Sequence, residues 1–241
     1  WSYAYDALGN LTSQTDARGC TLTLAYDQLN RLDTKSSSGT CGQQVSVDYD
    51  YDDIADGNKG IGRRTSMSDG SGSAQWKYDT RGRLTRETKT ITGHSAFVTE
   101  FAYNTADLPT SMTYPDGEVV TTNYDNRMLP ISVTGNADYA SMVYDSTGRL
   151  TSRALGNGVT QKYLFNPWNA EGGRLDKIVA GSGAWDPNTQ LFADTIQKLS
   201  YGYDSVGNVT QIEQVTDFDP LETETQFFEY DELNRLKKWT L

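Results

Sequence analysis

Histidine and cysteine are nearly missing from this chain, which has one His and two Cys in 241 residues. A Ser-His-Asp triad needs an imidazole and a Cys/His zinc site needs several ligands, so both chemistries have little material. Positive charge is scarce as well: 21 Lys and Arg face 32 Asp and Glu, a formal net charge of −11. Nucleic-acid binding rests on clustered basic residues, and the same shortage disfavours an anionic membrane surface or a sulfated polysaccharide. No apolar run approaches the roughly 18 residues of a spanning helix, so membrane insertion is not expected. Hydrophobic residues make up only 36% of the chain, a deficit that alone leans toward disorder. What is present reverses that reading. Fifteen Tyr, 7 Phe and 5 Trp, set among Gly, Thr, Ser, Asn and Asp, are the palette of β-strands and tight turns.

One phrase recurs through the sequence. Tyr5-Asp6-Ala7-Leu8-Gly9-Asn10-Leu11-Thr12 returns as Tyr26-Asp27-Gln28-Leu29-Asn30-Arg31-Leu32-Asp33, and again as Tyr78-Asp79-Thr80-Arg81-Gly82-Arg83-Leu84-Thr85. Further copies are Tyr144-Asp145-Ser146-Thr147-Gly148-Arg149-Leu150-Thr151, Tyr203-Asp204-Ser205-Val206-Gly207-Asn208-Val209-Thr210 and Tyr230-Asp231-Glu232-Leu233-Asn234-Arg235-Leu236-Lys237. Degenerate copies start at Tyr51, Tyr103, Tyr124 and Tyr163, so ten of the fifteen tyrosines take one position.

Strict alternation precedes these anchors, as in Trp1, Tyr3, Tyr5; Leu22, Leu24, Tyr26; Val45, Val47, Tyr49, Tyr51; and Leu199, Tyr201, Tyr203. Period two marks a strand with one apolar face. Asp then accepts backbone N–H groups of the turn, and Gly or Asn supplies the left-handed residue that closes it. The Arg-Leu-Thr run leaves as the return strand, with Leu or Val facing the same way as Tyr. Second turns at Asp16-Ala17-Arg18-Gly19, Asp69-Gly70-Ser71-Gly72, Pro115-Asp116-Gly117 and Leu155-Gly156-Asn157-Gly158 connect one hairpin to the next. The expected fold is all-β: repeated antiparallel hairpins in a curled, spiralling sheet, because so many twisting strands do not stay flat. The aromatic faces of successive repeats are expected to stack into a continuous core. The expected organisation is a single repeat region over 1–241, about ten hairpins, with a longer loop or insertion around 176–198. Because both ends fall inside repeats, the chain reads as a piece of a larger protein, whose exposed strand edges would favour self-association.

The Tyr-Asp-x-x-Gly-Arg-Leu-Thr unit resembles the YD repeat of the Rhs family, which includes bacterial Rhs and wall-associated polymorphic toxins, shell-forming subunits of Tc toxin complexes, and teneurins. The resemblance covers essentially the whole chain. It implies a non-enzymatic role: a secreted or cell-surface bacterial protein whose hairpin spiral builds a shell around a passenger or toxin domain. A carbohydrate-binding or adhesion module is the alternative, with Trp168, Trp185 and Trp239 as candidate rings.

Departures and candidate sites complete the reading. Asp107 and Met128 stand where Gly belongs, and a strained left-handed Met predicts a change of turn type. The Tyr51 copy carries a longer loop, and the Tyr163 copy has Leu164 in place of Asp. Asp48, Asp50 and Asp52, followed by Asp53, Asp56 and Asn58, offer oxygen ligands but miss the EF-hand spacing, and read as a solvated strand face. His94 reads as a turn residue. Cys20 and Cys41, about one repeat apart, fit either a disulfide on adjacent hairpins or two free thiols. Asp186-Pro187 and Asp219-Pro220 lack the surroundings of an autoproteolytic site. No catalytic residue, cofactor or metal is expected. The residues that define the repeat are the Tyr, Asp and Gly or Asn of the six full copies.

Overall fold

A computed structural model describes residues 1–42, 44, 46–216 and 223–241. Val45 and the Asp219-Pro220 pair lie outside the described residues. The chain is all-β, and it divides into two compact units, Trp1–Val120 and Thr121–Leu241.

The first unit holds β1 (Ser2–Tyr5), β2 (Leu11–Thr15), β3 (Cys20–Tyr26), β4 (Leu32–Gly39), β5 (Ser46–Tyr51), β6 (Arg64–Asp69), β7 (Gly72–Tyr78), β8 (Leu84–Ile91), β9 (Phe97–Tyr103) and β10 (Pro109–Thr113). Each pairs antiparallel with its chain neighbours. The second unit begins within β11 (Val119–Tyr124) and continues with β12 (Pro130–Thr134), β13 (Asp138–Tyr144), β14 (Leu150–Leu155), β15 (Thr160–Phe165), a four-residue helix α1 (Trp168–Glu171), β16 (Leu175–Asp186), β17 (Leu191–Tyr203), β18 (Val209–Thr216), β19 (Thr223–Tyr230) and β20 (Leu236–Thr240). It is the same meander.

The anchor residue faces the first residue of the return strand: Tyr5 opposes Leu11, Tyr26 opposes Leu32, Tyr78 opposes Leu84 and Tyr144 opposes Leu150. One residue on, the register slips. Lys77 pairs with Arg86 and skips Thr85; Val143 pairs with Ser152 and skips Thr151. All ten hairpins carry this shift at the anchor. The recurring Thr is therefore a bulge residue, and a bulge bends and over-twists its strand. The Thr85 and Thr151 hydroxyls donate to the Lys77 and Val143 carbonyls at 3.1 and 3.0 Å.

Three expectations change. The aromatic faces do not merge into a continuous core. Buried hydrophobic side chains among the described residues are Val47, Ala74, Val179, Ala180 and Phe192, while the anchor tyrosines are half-buried and Tyr5 is exposed. Within each unit the strands whose backbones run close together are neighbours in the meander, and the anchor rings stay partly open to solvent. Of the loop or insertion expected around 176–198, the loop gives way to two long strands, β16 and β17, whose hairpin bends at Gly181 and Gly183 so that Lys177 Nζ reaches Gln190 in its far turn at 2.9 Å. Finally, the degenerate copy at Tyr163 is anchored two residues later. Phe165 opposes Leu175 with the characteristic shift, and Asn166 N–H bonds the Arg174 carbonyl at 2.8 Å. Nine tyrosines and one phenylalanine thus share the anchor position.

Candidate functional site: the turn ladder

The side-chain chemistry concentrates at the YD turns. In the Asp27 turn the aspartate N–H bonds the Arg31 carbonyl at 2.9 Å, and Asn30 N–H bonds the Asp27 carbonyl at 3.0 Å. Asp27 Oδ1 accepts the Leu29 and Arg31 N–H groups at 2.8 and 2.9 Å. Its other oxygen accepts Arg31 Nε at 2.7 Å. Asp79 with Arg83, Asp145 with Arg149 and Asp231 with Arg235 repeat this geometry, with Nε–Oδ2 distances of 2.7, 2.7 and 2.8 Å. Asn10 and Asn208 take the arginine's place against Asp6 and Asp204, at 2.9 and 2.8 Å. Asp serves because one carboxylate caps two backbone donors and still holds a cation.

The arginine then crosses to the following hairpin. Arg31 reaches Asp52 at 2.7 Å and lies 4.3 Å over the Tyr51 ring. Arg83 reaches the Asn104 carbonyl at 3.0 Å and Asp107 at 2.7 Å, and stacks 4.7 Å over Tyr103. Arg149 donates to the Gly173 carbonyl at 2.8 Å and lies 4.3 Å over Phe165. The turn glycine accommodates this arm: a Cβ on Gly82 would fall 1.8 Å from the Arg63 guanidinium, and one on Gly207 3.0 Å from Arg174. The anchor hydroxyls make the reverse connection. Tyr26, Tyr51, Tyr78 and Tyr103 donate to the carbonyls of Leu11, Leu32, Arg64 and Leu84 at 2.8 to 3.0 Å, each the first residue of the previous return strand. In the second unit Tyr144, Tyr203 and Tyr230 do the same toward Pro130, Leu175 and Val209. A rung with either link therefore holds two hairpins.

These bonds shift the carboxylates. Asp145 is held well below the ordinary carboxylate range, first by the Thr147 hydroxyl and then by Arg149, against an opposing push from burial. Asp27 is lowered chiefly by the Arg31 N–H, and Asp6 chiefly by the Asn10 side chain. Arg31 is raised by Asp52 and then Asp27.

The degenerate turns keep this architecture. Asp107 and Met128 sit at φ 65° and 67°, so the turn type does not change as expected for Met128. Its N–H bonds the Asp125 carbonyl at 3.0 Å while Asp125 Oδ1 caps Arg127 and Leu129, and those bonds together impose the left-handed backbone. The longer loop 52–63 is clamped in the same manner, with Asp52 N–H on the Arg63 carbonyl and Asp52 Oδ1 on Gly62 N–H at 3.1 and 2.6 Å. Buried Asn58 ties that loop to β7 through Tyr78 N–H at 2.8 Å and the Trp76 carbonyl at 3.3 Å.

The acidic stretch is engaged in protein contacts. Asp50 accepts from Ser66, Asp53 caps Ala55 and Asp56 pairs with Lys77 at 3.2 Å. His94 is an exposed turn residue whose N–H bonds Ile91. Cys20 and Cys41 form a disulfide beside the opposite turn, closing the question of free thiols in this structure. Of the three candidate rings, Trp168 and Trp239 are exposed, and Trp185 packs edge-on against Phe192 at 4.9 Å. Sequence reasoning missed the bridging arginine and the tyrosine hydroxyl. The Arg that recurs in four of the six full copies is the available signal for the first; nothing in one sequence marks the second.

An antiparallel repeat whose turns are bolted one to the next defines a structural, wall-like class of β-protein. Residues 3–40 match the RHS Repeat family model. No curated protein matches. Among solved structures, a Photorhabdus luminescens Tc holotoxin pore is similar at 17% identity and TM-score 0.70, over 97% of this chain and 12% of the matched one. The crystal structure of TcdB2-TccC3 is similar at 18% identity and TM-score 0.71, over 97% and 13%, and that of TcdB2-TccC3-Cdc42 at 17% and 0.71, over 97% and 12%. The chain thus spans about an eighth of those chains, and the likeness shows the fold. Residues 3–40 thus match an RHS repeat, and the registered turns carry the same pattern along the rest of the chain.

Proposed function

We propose that the chain is a non-enzymatic wall segment of an exported Rhs-type shell, one continuous repeat region that encloses or scaffolds a toxin passenger. The observation that carries this reading is the ladder itself. Neighbouring hairpins are fastened by main-chain pairing together with an Arg or Asn arm, a Tyr hydroxyl or both, which makes a rigid surface without a conventional core. The Tyr, Asp and Gly or Asn of the turns are the repeat-defining positions. The Cys20–Cys41 disulfide supports export, since such bonds persist in oxidising compartments. The similarity to Tc complexes that contain TccC3 supports a toxin partner. The test is protease protection. Within its parent protein, the passenger is expected to survive protease levels that digest it when it is produced alone; equal digestion would sink the enclosure reading.

A further inference from the structure

The arginines of the ladder do not all end alike. Arg31, Arg83, Arg149 and Arg235 each hold the aspartate of their own turn. Arg174 occupies the matching position, since Asn166 N–H bonds its carbonyl at 2.8 Å. Here the aspartate is replaced by Asn166, whose amide turns to Glu171 at 3.4 Å. The next turn withholds a carboxylate as well. Arg83 reaches Asp107, at the left-handed position of its following turn, at 2.7 Å. Arg174 takes the same course, with its guanidinium 5.6 Å over the Tyr203 ring and Nη1 donating to the Asp204 carbonyl at 3.3 Å. The left-handed position there is Gly207, and a Cβ on it would stand 3.0 Å from Nη2 and 3.2 Å from Nε. Those two nitrogens are the bidentate edge of the guanidinium, and Arg174 makes no ion pair among the described residues.

An open cleft of about 400 Å³ lies against this guanidinium, with Glu171, Tyr203, Asp204 and Ser205 in its lining. Both Asp204 oxygens are taken, Oδ1 by turn N–H groups and Oδ2 by Asn208, so this carboxylate is not free to close on Arg174. The Tyr203 hydroxyl is likewise spent on the Leu175 carbonyl at 2.8 Å. Three groups remain uncommitted among the described residues: the guanidinium edge, the Ser205 hydroxyl and the exposed Glu171 carboxylate, which makes no ion pair. A guanidinium edge and a hydroxyl hold a carboxylate, and a carboxylate holds an ammonium. A ligand with one charge of each sign therefore matches the cleft. A bare anion meets Glu171 and the chain's net charge of −11.

We propose that this cleft binds a small zwitterion of the amino-acid or short-peptide class, its carboxylate on Arg174 and Ser205 and its ammonium on Glu171. Such binding is independent of any enclosing role of the wall. So few contacts in an open cleft set a dissociation constant on the order of 1 mM. The test is saturation-transfer NMR with three matched probes: glycylglycine, its N-acetyl derivative and its C-terminal amide. Glycylglycine is expected to saturate, and to bind roughly tenfold more tightly than either blocked form. Arg174→Gln is expected to erase its advantage over the amide, and Glu171→Gln its advantage over the N-acetyl form. Asn166→Asp restores the missing aspartate without a change of size, so it is expected to occupy Arg174 and weaken glycylglycine about tenfold, with the circular dichroism of the chain unchanged. No saturation by glycylglycine up to tens of millimolar would overturn the proposal, as would undiminished binding by Asn166→Asp. Equal binding of the N-acetyl derivative would overturn the zwitterion assignment by removing the role of Glu171.

Discussion

The turn ladder and the folded-back hairpin stabilise the same kind of sheet by opposite means. At the Asp79 turn the contacts are polar and half-exposed, with Arg83 linking Asp79, Asn104 and Asp107. In the β16–β17 hairpin they are apolar and buried, with Val179 and Phe192 both withdrawn from solvent. The difference teaches where this fold keeps its stability. A sheet without a covering layer cannot rely on burial, so it repeats a small polar device at every turn. Only where the chain supplies its own cover does packing take over.

Acid separates the two regimes most sharply. The turn aspartates, Asp6, Asp27, Asp79, Asp125, Asp145, Asp204 and Asp231, all have lowered proton affinity in the folded state. Their contribution is fully present above the unfolded value of about 3.9 and is lost as pH falls through the folded values. Thermal melts are expected to hold steady down to about pH 5 and then to lose Tm steeply below pH 4. A flat profile to pH 2 would contradict the ladder's role. On the apolar side, Phe192→Ala is expected to cost about 3–5 kcal/mol by chemical denaturation. Replacing both Cys20 and Cys41 with Ser is expected to cost about 3 kcal/mol, measured against the oxidised parent. Tyr103→Phe removes one donor from the Leu84 carbonyl and is expected to cost about 1 kcal/mol. Met128→Gly works the other way: relief of the left-handed backbone is expected to add about 1 kcal/mol, and a loss would show that the Met side chain matters more than its φ.

Much of this was legible beforehand, for physical reasons that differ by element. The strands and turns were readable because period two and Asp-x-x-Gly are local signals, and local bonds realise them. The Asp145 cap is one such case. The sequence points to Tyr163 rather than Phe165 because the two lie on the same face two residues apart, and only the bulge opposite Leu175 distinguishes them. At Met128 residue preference points to another turn type, and the Asp125 cap overrides it. Gly181-Ser182-Gly183 suits a loop or an insertion by composition, yet the glycines serve a bend within paired strands. The arginine arms span 18 or more residues of sequence, as from Arg31 to Asp52, and no local pattern encodes such a reach.

The central claim is that each rung couples neighbouring hairpins. Native-state hydrogen exchange on Asp79→Ala tests it most directly. The account predicts faster exchange both at the mutated turn, around Gly82 and Arg83, and across the next one, around Asn104 and Leu108, because Arg83 loses its anchor. Faster exchange confined to residues 79–85, with the Asn104 turn as protected as before, would contradict it.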